Sequence, residues 1–151
     1  MKETSIAKNP SAFRDYQILS TYESGIELRG SEVKSIRQGK INLKDSFARI
    51  ENTEIFLYNC HISPYEQASY LNVDPVRRRK LLLHRSQIRK LIAETAQKGL
   101  ALVPTKLYFK GGWVKLELAL AKGRKHYDKR REIKKKEEAM QMRRILMSRG
   151  K

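Results

Sequence analysis

The chain has 151 residues, 40% of them apolar, with 33 Lys and Arg against 16 Asp and Glu, a formal charge of +17 and a pI near 10.2. That length and apolar content fit one domain with one core; no run of about 18 apolar residues could span a bilayer and MKETSIAKNP lacks a signal's apolar block, so a soluble, cytoplasmic protein is expected. Cys60 is the single cysteine, which excludes an internal disulfide and a thiolate zinc cluster and leaves a small buried apolar role.

Charge is spread over the whole chain. Residues 121–151 carry 13 Lys and Arg and 4 Asp and Glu, and the preceding 120 residues carry 20 and 12. Both parts need a polyanionic partner, because each phosphate that a Lys or Arg neutralises releases condensed counterions. A membrane reader combines its basic face with a broad, bulky apolar one. The tail offers only Ile133, Ala139, Met140, Met142, Ile145, Leu146 and Met147, with no aromatic after Tyr127, so nucleic acid is favoured over a membrane.

Residues 16–29, YQILSTYESGIELR, alternate, break at Ser24-Gly25 and resume, which predicts a hairpin. In GSEVKSIRQGK, Ser31 is the expected cap of a short helix with Val33 and Ile36 on one side and Gly39 as its stop. SFARI and EIFLYNCHI flank the turn ENTE as a second strand pair, and SPYEQASYLNVDPV reads as a long surface loop. RKLLLH is a compact strand. Ile88, Leu91, Ile92 and Ala96 fit one face of a helix over 86–98 that Gly99 ends. LALVPTKLYF, KGG and WVKLELALA form the last hairpin, with Val114, Leu116, Leu118 and Leu120 toward the core and Lys115, Glu117 and Ala119 toward water. The fold class expected is mainly β: a small closed antiparallel barrel with two or three short helices, domain 1–130, and a basic tail, 131–151.

Several stretches resemble one family closely: GIELRGSEVKSIRQGKINLKDSFARI, FLYNCHISPY, RRRKLLLHRSQIRKL, GLALVPTKLYFKGGWVKLELALAKGRKHYDKR and the basic tail. In this order they are similar to the SsrA-binding proteins (small protein B). The resemblance implies a six-stranded barrel like an OB fold that grips the tRNA-like part of transfer-messenger RNA. It also implies a tail that enters the vacant messenger channel of a stalled ribosome near the small-subunit decoding centre, and delivery with elongation factor Tu and GTP. Residues 9–16, NPSAFRDY, depart from the family's basic Asn-Lys-Arg-Ala-Arg-His-Glu-Tyr. Asn9, Ala12 and Tyr16 keep the frame, but only Arg14 keeps a charge, so the resemblance carries no RNA contact onto this segment.

Lys34 and Arg37 stand three apart on the short helix and can span neighbouring phosphates. For Glu32 the residues leave two roles open, an RNA contact or first-turn stabilisation of the helix; the resemblance implies the contact. If Leu81 and Leu83 fill the core, Leu82 and His84 point outward, where they can meet a splayed base; the family's more familiar residue at 84 is Asn. The resemblance thus implies RNA-binding roles for Glu32, Lys34, Ser35, Arg37, Lys40, Arg79, Lys80, Leu82, His84, Lys122, Arg124 and Lys125. Tyr108 and Trp113 are read as structural, although each sits among cations as a stacking platform does.

In the tail, Tyr127, Asp128, Lys129, Arg130, Lys134, Lys135, Lys136, Arg143, Arg144, Ile145 and Leu146 are the expected ribosome-binding residues. Ala139, Met142 and Leu146 recur at helical spacing, so a segment that is marginal as a helix in water is expected to be unstructured when free and to fold between anionic walls. None of the three histidines stands in an acid/base or metal motif, and no phosphate-cradling loop is present. A monomeric, non-enzymatic adaptor without cofactor is expected. The competing reading is a generic ribosomal or tRNA-binding barrel protein.

Overall fold

A computed structural model of the chain describes residues 3–65, 73–97, 99–124 and 137–145. The elements run β1 (Glu3–Lys8), α1 (Pro10–Asp15), β2 (Tyr16–Ile26), α2 (Gly30–Arg37), β3 (Ile41–Asn42), β4 (Phe47–Glu51), β5 (Glu54–Tyr58), β6 (His61–Ile62), β7 (Arg79–Leu82), α3 (Arg85–Thr95), β8 (Leu100–Lys110) and β9 (Trp113–Gly123). Six antiparallel strands close a ring, β4-β5-β7-β2-β9-β8 and back to β4, the last junction being the single pair Ala48 and Leu102. Mainly β architecture with short helices is the expected class. Inside the ring Ile55, Leu57, Leu81, Leu107, Leu116 and Leu118 are fully buried, joined by Ile36 of α2 and Leu91 of α3.

Several local expectations are corrected. Residues 16–26 form one strand and not a hairpin: β2 pairs with β9 along its length and passes to β7 at Gly25 and Ile26. Gly25 eases the crossing there, since a Cβ on it would lie 3.2 Å from the Cβ of Leu82. The residue that caps α2 is Arg29, whose amide donates to Glu32 Oε1 at 2.8 Å, and not Ser31. EIFLYNCHI does not run through as one strand: Asn59 turns with φ 60°, and His61–Ile62 pair with β3 instead. The helix expected over 86–98 ends earlier, and of its expected apolar face Ile92 and Ala96 are exposed while Leu91 is buried. β1, which has no apolar alternation, pairs with β8 at the sheet's edge.

The outer face of β9 is not left to water throughout. Ala119 and Ala121 are buried with Val103 beneath Ala12, Tyr16 and Ile18, so α1 closes a second small core. Pro104 interrupts β8 with a register shift before Lys106, as a residue without an amide does inside a sheet. The Asn9 amide group donates to the Pro104 carbonyl at 2.8 Å and the Asn9 backbone N–H to that of Thr105 at 2.8 Å. Asn9, Ala12 and Tyr16 are thus packing residues, whereas Phe13 and Arg14 between them face solvent.

Candidate nucleic-acid interface

Alternation in β7 divides its side chains cleanly. Leu81 is buried and Leu83 packs against the core, while Leu82 is 50% exposed and His84 is exposed as the N-cap of α3. Lys80 shares the outer face with Leu82 and pairs with Glu54 at 3.7 Å. Lys80, Leu82, His84, Arg85 and Lys115 line a groove of about 610 Å³ beside Gly25. On α2, Lys34 and Arg37 are both exposed one turn apart, Lys40 follows exposed after Gly39, and the Lys34 ammonium lies 5.4 Å from the ring of Tyr65.

Glu32 joins these two elements from below. It is 4% exposed; Oε2 accepts from Arg79 Nε at 2.6 Å, and Oε1 accepts from Arg77 and from the Arg29 amide. Arg79, fully buried, also donates to the carbonyls of Cys60 at 2.6 Å and Pro75 at 3.0 Å. One guanidinium therefore ties α2, the end of β5's continuation and the loop before β7 to a single point. Burial opposes the charge on Glu32, but hydrogen bonds from Arg77, the Arg29 amide and Arg79 outweigh it and hold the carboxyl below its ordinary 4.5. Burial likewise pushes the Cys60 thiol up to about 11.

The expectation that Glu32, Ser35 and Arg79 touch RNA meets a physical obstacle: all three lie beneath the surface, Ser35 and Arg79 without exposed area. The Glu32–Arg79 ion pair joins α2 to β7, and Ser35 is buried on the inner side of α2. The signal for Arg77, which sequence reasoning left unassigned, was its place in the Arg-Arg-Arg run opposite an acidic residue 45 positions away. Lys122 and Arg124 are exposed, but at the far end of β9, where Gln17 and Tyr16 pair. Roughly 23 Å of strand, seven residues at about 3.3 Å each, separates Lys122 from Lys115, which is paired with Gly25 beside Leu82. Lys125, Tyr127, Asp128, Lys129, Arg130, Lys134, Lys135, Lys136 and Leu146 lie outside the described residues. Arg143, Arg144 and Ile145 belong to a helical segment, 137–145, that is exposed along its whole length.

Two aromatic expectations separate. Tyr108 is buried and donates to Glu23 Oε2 at 2.7 Å, as a structural residue does; Trp113 is 72% exposed at the tip of the β8–β9 hairpin and fills no core. Among the described residues no group of three or more His, Cys, Asp or Glu side chains is placed to hold a metal ion, and no helix is long and apolar enough to cross a membrane.

A family model described as SmpB protein matches residues 6–148. The SsrA-binding protein of Carboxydothermus hydrogenoformans is 56% identical over 147 residues, covering 97% of this chain and 99% of the relative. That of Caldanaerobacter subterraneus subsp. tengcongensis is 61% identical over 132 residues, covering 87% and 84%. A chain of the solved structure described as "tmRNA-SmpB: a journey to the center of the bacterial ribosome" superposes with a TM-score of 0.68 at 55% identity, over 85% of this chain and 91% of that one. Fold, interface and these likenesses agree that the chain belongs to the SmpB family of SsrA-binding proteins.

Proposed function

We propose that this protein is a non-enzymatic RNA-binding adaptor that holds the tRNA-like domain of transfer-messenger RNA and brings it to stalled ribosomes for trans-translation and peptide tagging. The observation that carries the reading is a pair of cationic surfaces, Lys34 and Arg37 on α2 with Lys40 after it, and Lys80 and Leu82 on β7 with His84 after it, on two elements joined by the Glu32–Arg79 ion pair. Ammonium and guanidinium groups three residues apart bridge successive phosphates, while Leu82 and His84 offer an apolar and a hydrogen-bonding contact to an unstacked base. Likeness to a chain solved as tmRNA-SmpB supports that RNA in particular.

The division of labour is a globular domain, 1–130, for the RNA and a tail, 131–151, for the small-subunit decoding centre and messenger channel. Tail cations Lys134, Lys135, Lys136, Arg143 and Arg144 meet phosphate walls there, and the helix of 137–145 grows as each added turn brings more of them to the walls. The protein works as a monomer in the cytoplasm, with elongation factor Tu and GTP acting on the same RNA.

Two variants test the reading. Deleting residues 131–151 is expected to leave RNA affinity nearly intact and abolish tagging on stalled ribosomes; joint collapse of both activities sinks the two-part arrangement. Replacing Lys34, Arg37 and Lys80 by Ala is expected to weaken RNA capture and reduce the salt slope by roughly one unit for each phosphate no longer neutralised. An unchanged slope removes those residues from the interface.

A further inference from the structure

The outer face of β4 and β5 carries an arrangement that the α2–β7 surface does not use. Ala48, Ile50, Ile55 and Leu57 pack into the core, which turns Phe47, Arg49, Glu51, Phe56 and Tyr58 outward. The main helix contacts are α1 on β2 and β8, α2 on β6 and α3 on β8, and α1 borders the face at one end, where Ser11, Ala12 and Asp15 line a pocket with Phe47 and Arg49. Phe47 and Tyr58 are opposite in register, their rings stacked 5.5 Å apart and 13° from parallel, with the Arg49 guanidinium 5.6 Å from Phe47 and 6.0 Å from Tyr58.

Toward β7 the theme repeats. The Arg78 guanidinium lies 4.3 Å from the Phe56 ring centroid, and Glu51 holds it at 2.8 Å while the other Glu51 oxygen accepts from the Tyr58 hydroxyl. Arg78 nevertheless remains 55% exposed. A guanidinium resting on a ring, fixed by a carboxylate and open to solvent is a planar cationic platform whose ordering cost is already met in the free protein. Arginine planes and aromatic rings are the surfaces on which unpaired bases stack.

We propose that this face is a stacking site for unpaired bases of the bound RNA, one on Arg78 and one on Arg49, continuing the α2–β7 interface across β5. The inference rests on the RNA-binding reading above. Continuity supports it, since Lys80 of that interface is opposite Phe56 in register. The charge of the face is mixed: Arg49, Arg78 and Lys80 stand with Glu51 and Glu54, and Asp15 and Asp45 line a pocket with Arg49, so stacking on the planes and not net charge carries the site.

The test uses labelled transfer-messenger RNA titrated with the full chain and with an R49K/R78K double variant over a range of salt. Lysine keeps each charge but lacks the plane, so affinity is expected to fall about tenfold with the salt slope unchanged. Wild-type affinity overturns the site, and so does a reduced slope, which would make these arginines phosphate ligands. An F56L variant, which removes only the ring beneath Arg78, is expected to lose affinity in the same way; unchanged binding by F56L overturns the platform. A K34A/R37A variant run alongside keeps the two claims apart. If it alone weakens binding, the α2–β7 reading stands and the stacking site falls; if no variant weakens binding, both fall. Photocrosslinking from benzoylphenylalanine at position 49 is expected to capture an unpaired base, and capture of duplex RNA or of a protein overturns the assignment.

Discussion

Arg79 Nε and Glu32 Oε2 stand 2.6 Å apart with the guanidinium wholly buried and the carboxylate nearly so. An acidic residue in the middle of the basic EVKSIR segment looks misplaced at an RNA surface until this geometry is seen. It faces inward, and its charge is spent on fixing the base of α2. Lys34 and Arg37 then project from a helix whose position relative to β7 is set by an ion pair and not by loop chance.

Removing Glu32 leaves the Arg79 guanidinium buried without a counter-ion, whereas removing Arg79 leaves Glu32 its bonds from Arg77 and the Arg29 amide. Glu32→Ala is expected to cost about 3–5 kcal/mol, Arg79→Met less because Arg77 still pairs with Glu32, and a Glu32→Met/Arg79→Met double variant to recover much of the larger loss. Urea denaturation of the three variants measures it. A single-variant loss below about 1 kcal/mol would place the pair in the class of exposed ion pairs and remove the positioning role.

The same pair makes stability pH-dependent at acid. Because the folded-state carboxyl of Glu32 is held below its ordinary 4.5, its contribution is fully present above that value and is lost as pH falls through the lowered one. Urea midpoints are expected to fall as pH drops below about 4.5, and Glu32→Gln to fall less steeply. Glu23 keeps a share of the slope in the variant, since the Tyr108 hydroxyl and Lys110 lower its carboxyl as well. Parallel curves for the two proteins would contradict the assignment to Glu32.

Much of this was legible because the signals were local. Alternation placed Leu116, Leu118 and Leu120 inside and put Leu82 on the face opposite Leu81, while Gly39, at φ 73°, ends α2 where its position foretold. The failures share a non-local cause. Ser24-Gly25 reads as a turn because Gly is the usual breaker, yet here Gly yields space to Leu82, 57 positions downstream. Ala119 reads as outward because alanine is ambivalent, and it is buried because α1 folds back over it. Glu32 reads through its neighbours in sequence, whereas its partners come from Arg77 and Arg79.

Cys60 is fully buried, and burial raises its thiol to about 11. At neutral pH almost no thiolate forms, and the sulfur is out of reach. A thiol-specific reagent is expected to label the native protein very slowly and the urea-unfolded protein at the ordinary rate. Rapid native labelling would mean that the segment around β6 opens readily.

Trp113 is the chain's single tryptophan, 72% exposed, between Lys110 across the hairpin and Lys115 along the strand. Its emission is expected to be that of a hydrated indole in the native state. Local positive charge draws anions, so iodide is expected to quench it more efficiently than caesium. A blue-shifted, poorly quenched emission would show the hairpin tip covered in solution.

Gly25 links the fold to the interface. Its would-be Cβ lies 3.2 Å from Leu82 Cβ and 3.4 Å from Leu82 Cδ1, closer than a methyl group fits without displacing its neighbour. Gly25→Ala therefore requires the Leu82 side chain to give by a few tenths of an ångström, and an overpacking cost of up to about 1–3 kcal/mol is expected where the strand pairing holds it in place. Because Leu82 is on the exposed side of β7 that we propose meets RNA, the variant is expected to lose RNA affinity as well as stability. Trimming the neighbour separates the two effects: in Gly25→Ala/Leu82→Ala the approach to Cγ and Cδ1 is gone while the 3.2 Å approach to Cβ stays, so stability returns in part, but the apolar surface is gone and affinity stays low. Recovery of both properties in the double variant would show that Leu82 itself contributes nothing to RNA binding.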